Sequence, residues 1–182
     1  MPPNPKSPYA VSKLTGEYYM RVFAELHDIQ TVSLRYFNVF GPRQDPQSEY
    51  AAVIPKFITR ILNDESPIVF GDGEQPRDFT YVKDVVAANI RAMESDAQGI
   101  FNVAYCKRIN LRELAAMIME ITGISVPLSF EPPRPGDVRD SLADIKRAQE
   151  TFGYAPAYTV RSGLVETVMW YQGCRSGISS LH

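Results

Sequence analysis

Residues 7–13 read Ser-Pro-Tyr-Ala-Val-Ser-Lys and place a tyrosine and a lysine four positions apart. Ser7 is a suitable N-cap and Pro8 suits the first helical position, so the pattern predicts that a helix begins here. Side chains four residues apart share one helical face, so we expect Tyr9 and Lys13 to be neighbours. A nearby cation favours the phenolate form of a tyrosine, which can then accept a proton from a hydroxyl group. By themselves the two residues also fit an ordinary amphipathic helix surface.

The composition is that of an ordinary folded protein. The 182 residues are 45% hydrophobic and 22% charged, which suffices for one domain with a core, or for a domain and part of another. The formal net charge of −2 gives no electrostatic basis for binding nucleic acid or an anionic membrane. The sequence has no apolar run long enough to cross a bilayer and does not open with a signal-like segment. We therefore expect a soluble, cytoplasmic protein with no nucleic acid and no membrane among its partners.

The cysteines and histidines do not form a metal-binding pattern. Cys106 and Cys174 are far apart and have no Cys or His at ligand spacing, and His27 and His182 stand alone. We expect no metal site and no disulfide framework, and a reducing environment is the default setting.

Predicted helices and short strands alternate along the chain, which favours an α/β fold. The predicted strands are 31–37, 67–70, 77–82, 100–104 and 128–130. The predicted helices are 8–27, 55–62, 84–95, 111–122, 145–152 and 160–172. The strands are too few and too short for one complete sheet. The first helix is apolar or aromatic nearly all round, which indicates contacts with a partner subunit or with a further part of the fold.

Five motifs occur along the chain in a fixed order, and together they resemble one family. They are Ser-Pro-Tyr-Ala-Val-Ser-Lys at 7–13, Leu-Arg-Tyr-Phe-Asn-Val-Phe-Gly-Pro at 34–42, Gly-Asp-Gly at 71–73, Arg-Asp-Phe at 77–79 and Arg-Pro-Gly-Asp at 134–137. The family is that of the extended short-chain dehydrogenase/reductases that act on nucleotide sugars, and the chain most resembles UDP-glucose or UDP-N-acetylglucosamine 4-epimerases. The resemblance extends to about residue 172.

The resemblance implies an α/β fold with two parts. One is an incomplete NAD-binding Rossmann-type domain of which only C-terminal elements are present, namely residues 1–45 and 82–104. The other is a small mixed α/β substrate-binding domain, residues 46–81 and 105–172. We expect residues 173–182 to be a frayed tail.

The same resemblance implies roles for residues near the catalytic helix. Tyr9 corresponds to the catalytic base and Lys13 to the residue that holds the nicotinamide ribose of NAD. Both therefore count as catalytic and as cofactor-binding residues. Tyr36 and Phe37 correspond to the strand end that lines the nicotinamide pocket.

Further positions correspond to contacts with a UDP-sugar substrate. The implied roles are a phosphate contact for Asn38, backbone contacts to uracil or phosphate for Ala52 and Val53, a border to the base or ribose for Phe70, the diphosphate grip for Arg77 and Arg134, and a ribose contact for Asp137. Planar guanidinium groups suit adjacent anionic phosphates well. Open α/β sheets place ligands at the carboxyl ends of strands, where Asn38 lies.

Ser141 carries a hypothesis about substrate range. Some relatives have a bulky tyrosine at the matching place, close to the hexose, so a small residue leaves room for a 2-acetamido group. We expect UDP-N-acetylhexosamines to be accepted as well as UDP-hexoses. An ordinary turn residue before Asp144 is the equally simple interpretation.

The printed sequence departs from the family pattern in one respect. It contains no Gly-x-x-Gly-x-x-Gly and no strand-turn-helix unit for the NAD pyrophosphate. The family's catalytic Ser or Thr, upstream of the tyrosine, is also absent. The Gly-Asp-Gly at 71–73 is a turn between short strands and cannot replace the nucleotide-binding unit. We therefore expect these residues alone to show negligible epimerase activity and weak or no affinity for NAD.

Three interpretations remain open at this point. The first is a nucleotide-sugar 4-epimerase, to which these residues contribute the C-terminal portion. The second is another enzyme on the same scaffold, a 4,6-dehydratase or a decarboxylase. The third is a non-catalytic module that binds nucleotide sugars or dimerises. The family commonly forms homodimers through the Tyr-x-x-x-Lys helix in a four-helix bundle, and the apolar residues from Val11 to Leu26 are compatible with that arrangement.

Overall fold

The computed structural model describes residues 3–47, 52–133 and 142–179. Within these ranges the chain forms six helices and eight short strands. The helices are α1 Pro8–His27, α2 Val53–Leu62, α3 Val82–Met93, α4 Leu111–Thr122, α5 Lys146–Phe152 and α6 Val160–Ser179. The strands are β1 Val32–Tyr36, β2 Val39–Phe40, β3 Ile68–Phe70, β4 Arg77–Asp78, β5 Thr80–Tyr81, β6 Gly99–Val103, β7 Arg108–Ile109 and β8 Ser129–Glu131.

Local capping rules fix the ends of two helices. The Ser7 hydroxyl accepts a hydrogen bond from the Ala10 N–H at 3.1 Å at the start of α1, as predicted. Asn110 and Glu113 form a reciprocal capping box at the start of α4, and Gly123 ends that helix in the left-handed conformation. These helix boundaries therefore follow from a few residues at each end.

The strands pair two by two. β1 runs parallel to β6 with Leu34 opposite Phe101, β2 runs parallel to β5, and β3 runs parallel to β8. β4 and β7 are antiparallel. Helix α3 leads into β6, as the crossover connection of a parallel pair requires. The α/β class is confirmed, and the described strands form pairs rather than one complete sheet, as predicted.

Two hydrophobic clusters stabilise the fold. The first lies mainly among α2, α4 and α6 and includes the fully buried Phe57, Leu114 and Leu164. The second lies among α3, β6 and α5 and includes Phe101 and Tyr154. Each fully buried side chain of this size contributes about 1.5–3 kcal/mol. In the second cluster, side chains between Ala143 and Tyr154 pack with α3 and β6. The predicted division instead separated them, with residues 143–154 in the substrate domain and with α3 and β6 in the NAD-binding domain. The domain boundaries stay a prediction.

Helix α6 packs with its backbone directly against an aromatic pair. A Cβ at Gly163 would lie 2.7 Å from Cδ2 of Tyr81 and 2.8 Å from Cζ of Phe40, so only glycine permits this approach. The two rings are themselves in contact, with centroids 5.4 Å apart. The contact joins α6 to β2 and β5, which lie next to the predicted substrate residues.

Three local predictions differ from the structure. Strands β2 and β7 were not predicted, because two residues carry no readable alternation. Helix α2 begins at Val53 rather than Pro55, since the first helical turn tolerates a proline. Helix α6 continues to Ser179, where a frayed tail from residue 173 was expected, because an established helix extends more easily than a new one forms. Among the described residues no helix has the length and apolar character needed to span a membrane.

Candidate active site

The amino-terminal end of α1 presents Tyr9 and Lys13 together. The Lys13 ammonium lies over the Tyr9 ring, with Nζ 5.2 Å from the ring centroid, so the predicted shared face is confirmed. Both side chains are accessible, and 62% of the Tyr9 surface is exposed. The pair is therefore open to a ligand that approaches the amino-terminal half of α1.

A groove of about 670 Å³ runs between α1 and β1 and is bordered by this pair. Tyr9, Lys13 and Tyr36 all line it, so the structure brings together three of the four residues predicted to contact the cofactor. Tyr36 also donates from its hydroxyl to Oδ1 of Asn89 on α3 at 3.0 Å. Phe37 instead packs against the second hydrophobic cluster, and its role beside a nicotinamide stays a prediction. A phenol and an ammonium at one rim are suitable partners for a ribose diol, so these groups fit the nicotinamide riboside end of NAD.

An ion pair at the groove ties α1 to β1. Arg35 donates from Nε to Glu17 at 2.6 Å and from a terminal nitrogen at 2.7 Å, which makes the pair bidentate. Only 13% of the Glu17 side chain is exposed, and its hydrogen bonds raise the pKa of Arg35. Glu17 lies four positions after Lys13, so this pair orients the face of α1 that carries the tyrosine.

Asn38 and Arg77, the predicted phosphate contacts, lie on adjoining parts of the fold. The Asn38 side chain donates to the backbone oxygen of Asp78 at 3.0 Å, and Thr80 N–H donates to the Asn38 oxygen at 3.2 Å. Asn38 is exposed and has a φ of 23°, which is rare for a residue with a side chain. Arg77 is half-buried at the start of β4. The structure thus places the Asn38 amide against the backbone of Asp78, and Arg77 next to Asp78 along the chain.

Asp78 is a buried carboxylate at the centre of this region. Its Oδ1 accepts from the N–H of Tyr105 at 3.1 Å, and its Oδ2 accepts from Cys106 at 3.1 Å and from Ala143 at 3.4 Å. The residue is 0% exposed. Burial raises the pKa of its carboxyl group, and the three N–H donors and the charge of Arg108 act in the opposite direction.

Phe70 and the start of α2 complete the described part of the predicted site. Phe70 ends β3 opposite Glu131 of β8, and its backbone oxygen accepts from Gln75 at 2.7 Å. Ala52 is the N-cap of α2 and Val53 is its first residue, and within the described chain no side chain caps this helix. Uncapped N–H groups at a helix start are suited to an anionic ligand.

A family model agrees with this arrangement. The model of the NAD-dependent epimerase/dehydratase family matches residues 1–104, which is more than half of the chain. The chain belongs to this family. Its members depend on NAD, in agreement with the cofactor that the resemblance implied.

Individual relatives are nucleotide-sugar enzymes. The structure of UDP-N-acetylglucosamine 4-epimerase from Methanobrevibacter ruminantium M1, in complex with UDP-N-acetylmuramic acid, is 45% identical with a TM-score of 0.90 and covers 94% of this chain and 55% of that one. UDP-glucose 4-epimerase from Mycolicibacterium smegmatis is 38% identical over 173 residues, or 94% of this chain and 55% of its own length. UDP-N-acetyl-alpha-D-glucosaminuronate decarboxylase from Bacillus cytotoxicus is 33% identical and matches 90% of this chain and 53% of its own length. The chain spans about half the length of each, as expected for a C-terminal portion.

Three predicted substrate residues, Arg134, Asp137 and Ser141, lie outside the described residues of this family member. The residues on either side of that segment contact the rest of the site. Glu131 pairs with Phe70, and Ala143 donates to Asp78. One flank therefore pairs with Phe70, a predicted substrate residue, and the other contacts Asp78, the chain neighbour of Arg77.

Sequence reasoning missed the two anchors of the site, Asp78 and the Glu17–Arg35 pair. Signals were present, because Glu17 continues the Tyr9–Lys13 spacing and Asp78 stands inside the Arg-Asp-Phe motif. Their partners could not be read, since Arg35 is 18 positions from Glu17 and Ala143 is 65 positions from Asp78.

We expect Glu17→Gln to loosen α1. Loss of a bidentate, charge-assisted pair should lower the free energy of unfolding by about 1–2 kcal/mol and speed amide exchange in the first half of α1. Glu25→Gln is the matched control, because Glu25 pairs with Arg21 on the exposed side of the same helix at 3.9 Å and should change stability by less than about 0.5 kcal/mol. Chemical denaturation and hydrogen exchange measure both effects. Equal behaviour of the two variants would show that the Arg35 pair does not hold the helix.

Proposed function

We propose that this chain supplies the proton-transfer pair and the nucleotide-sugar site of an NAD-dependent UDP-hexose 4-epimerase. The observation that carries the proposal is the groove that joins Tyr9 and Lys13 to Tyr36 at the end of β1. Asn38 follows that strand end by two residues, so this predicted phosphate contact comes at the same strand end as Tyr36. The 4-epimerases among the relatives support this reaction.

The residues divide the chemistry between them. Tyr9, as phenolate, removes the proton from the 4-hydroxyl of the sugar and later returns it. Lys13 stabilises the phenolate and holds the nicotinamide ribose through its ammonium donors. NAD, when bound, supplies the hydride acceptor and donor. Tyr36 borders the same groove.

The substrate is anchored through its nucleotide rather than through its sugar. Arg77 and Arg134 provide guanidinium groups for the diphosphate, and Asn38 adds an amide donor. The uncapped start of α2, at Ala52 and Val53, offers backbone N–H groups to the same anion. Phe70 borders the base or ribose, and Asp137 accepts from a ribose hydroxyl. Firm anchoring of the diphosphate leaves the hexose free to turn and present either face to the proton-transfer pair.

The second candidate is another enzyme of the same scaffold, and the decarboxylase relative favours keeping it. A 4,6-dehydratase or a decarboxylase would use the same nucleotide anchors and the same tyrosine, so the residues described so far do not separate these reactions. The third candidate is a non-catalytic module that binds UDP-sugars. Turnover of a UDP-sugar, measured once the nucleotide-binding half is joined to the chain, separates the third candidate from the first two.

We expect the 182-residue chain by itself to bind NAD weakly or not at all. Tyr9 and Lys13 offer contacts to one ribose, whereas the sequence has no glycine-rich turn for the pyrophosphate. Isothermal titration with NAD should give no saturable heat at millimolar concentrations, and a coupled assay with UDP-galactose should show negligible turnover. Saturable NAD binding or robust turnover would contradict this expectation.

We expect turnover to depend on Tyr9 once the nucleotide-binding half is supplied. A chimaera joins this chain to the part of the Mycolicibacterium smegmatis relative that it does not match. In this chimaera Tyr9→Phe should lower kcat for UDP-galactose about 10²–10⁴-fold, because general base catalysis is lost. Tyr19→Phe is the control, since Tyr19 lies on the same helix and is equally exposed at 62%. Similar kcat values for the two variants would remove Tyr9 from the reaction.

We expect Ser141 to set the substrate range. In the same chimaera, Ser141→Tyr should lower kcat/KM for UDP-N-acetylgalactosamine at least about tenfold more than for UDP-galactose, because the larger ring occupies the space for the acetamido group. Ser162→Tyr, at an exposed position of α6, controls for the addition of an aromatic ring. An unchanged ratio between the two substrates would overturn the assignment.

We propose that the chain forms a homodimer through α1. No α1 side chain is buried, and apolar or aromatic residues with 42–73% exposure lie along it, namely Tyr18, Tyr19, Val22, Phe23 and Leu26. Phe23→Glu should shift the sedimentation equilibrium towards monomer. Met93→Glu is the control, because Met93 is 79% exposed on a different helix. A wild-type chain that stays monomeric at tens of micromolar would contradict the dimer.

A further inference from the structure

Asp78 is a buried carboxylate to which the proposed chemistry gives no role. It connects four segments of the chain, since its side chain accepts from residues 105, 106 and 143 while its backbone oxygen accepts from Asn38. Its sequence neighbour Arg77 and its partner Asn38 are both predicted phosphate contacts. A single buried residue therefore adjoins both of these predicted phosphate contacts.

Two residues in strained backbone conformations contact Asp78. Asn38 has a φ of 23° and Cys106 has a φ of 62°, both in the region that L-residues rarely adopt. Such conformations persist only where the surrounding contacts enforce them. Here Asp78 supplies those contacts, with its backbone oxygen at Asn38 and its carboxylate at Cys106.

The ionised carboxylate is specifically suited to this arrangement. Burial raises the pKa of the Asp78 carboxyl group, whereas the three backbone N–H donors act against that rise and favour the ionised form. Only a carboxylate offers two acceptor oxygens to three N–H donors, whereas an asparagine would place an NH₂ group against one of them. The two carboxylate oxygens are thus matched to the backbone N–H groups of Tyr105, Cys106 and Ala143.

We propose that Asp78 is a positioning residue for the diphosphate of the nucleotide sugar and acts through Asn38 and Arg77. The proposal rests on the proposed function, because it assumes that these two residues contact phosphate. The bond to the Asn38 amide fixes the strained turn after β1, and the carboxylate fixes the β4 strand that carries Arg77.

Asp84 provides a matched control within the same molecule. It is also buried, at 2% exposure, and accepts from the N–H groups of Ala157 at 2.8 Å and Tyr158 at 3.3 Å. Burial raises the pKa of this carboxyl group as well. Its described contacts hold the segment before α6 and include none of the predicted substrate residues.

The test compares Asp78→Asn with Asp84→Asn in the 182-residue chain. Ligand-observed NMR titrations with UDP and with uridine, at a temperature where thermal denaturation shows both variants folded, separate phosphate recognition from base recognition. We expect Asp78→Asn to weaken UDP binding about tenfold or more and uridine binding less than about threefold, which reduces the preference for UDP. Asp84→Asn should leave both affinities close to those of the wild type although it lowers stability.

The other outcomes contradict either the positioning role of Asp78 or the proposed function. Wild-type UDP affinity in Asp78→Asn, or equal losses in both variants, removes the positioning role and leaves the proposed function intact. A wild-type chain that binds no UDP overturns the proposed function and the positioning role with it. If Asp78→Asn does not fold, the comparison uses Asp78→Asn in a Cys106→Gly background against Cys106→Gly alone, because glycine relieves the strain at φ 62°.

Discussion

The carboxylate of Asp78 joins the two hydrophobic clusters of the molecule. Phe79, the next residue, is buried in the first cluster, whereas its partner Ala143 is buried in the second and its partner Cys106 packs against the second. Hydrogen bonds from backbone N–H groups and the charge of Arg108, opposite Asp78 across the β4–β7 pair, act against the cost of burying this carboxylate. Because the predicted phosphate contacts lie on either side of this residue, the packing of the core and the geometry of the substrate side depend on the same interaction.

The proton-transfer helix is attached differently. Helix α1 buries none of its side chains and is held to β1 mainly by the Glu17–Arg35 ion pair and by a hydrogen bond from Thr31 to the Met20 oxygen. Regions with few buried contacts open at lower free energy than the core. The surroundings of Asn38 and Arg77 are thus fixed by buried groups, while the pair Tyr9 and Lys13 depends on partially exposed ones. The proposed dimer contact along α1 and a nucleotide-binding half would both stabilise the helix that carries this pair.

Sequence reasoning succeeded where neighbouring residues determine the result. The Ser7 cap, the capping box of Asn110 and Glu113, and the Tyr9–Lys13 spacing all act within four positions. It failed where distant segments decide. Asp78 finds its partners 27, 28 and 65 positions away, and no local pattern of the sequence predicts them. The order of the five motifs along the chain still identified the family.

We propose that Asn38, Val53, Phe70 and Arg77 form the nucleotide-sugar site of the enzyme at one edge of the fold. An amide-shift map of the isotopically labelled chain titrated with UDP tests it most directly. We expect the largest amide-shift changes at Asn38, Val53, Phe70 and Arg77, and small changes along α1 beyond Lys13. Changes confined to α1 and its groove, or no saturable change at the four named amides, would contradict it.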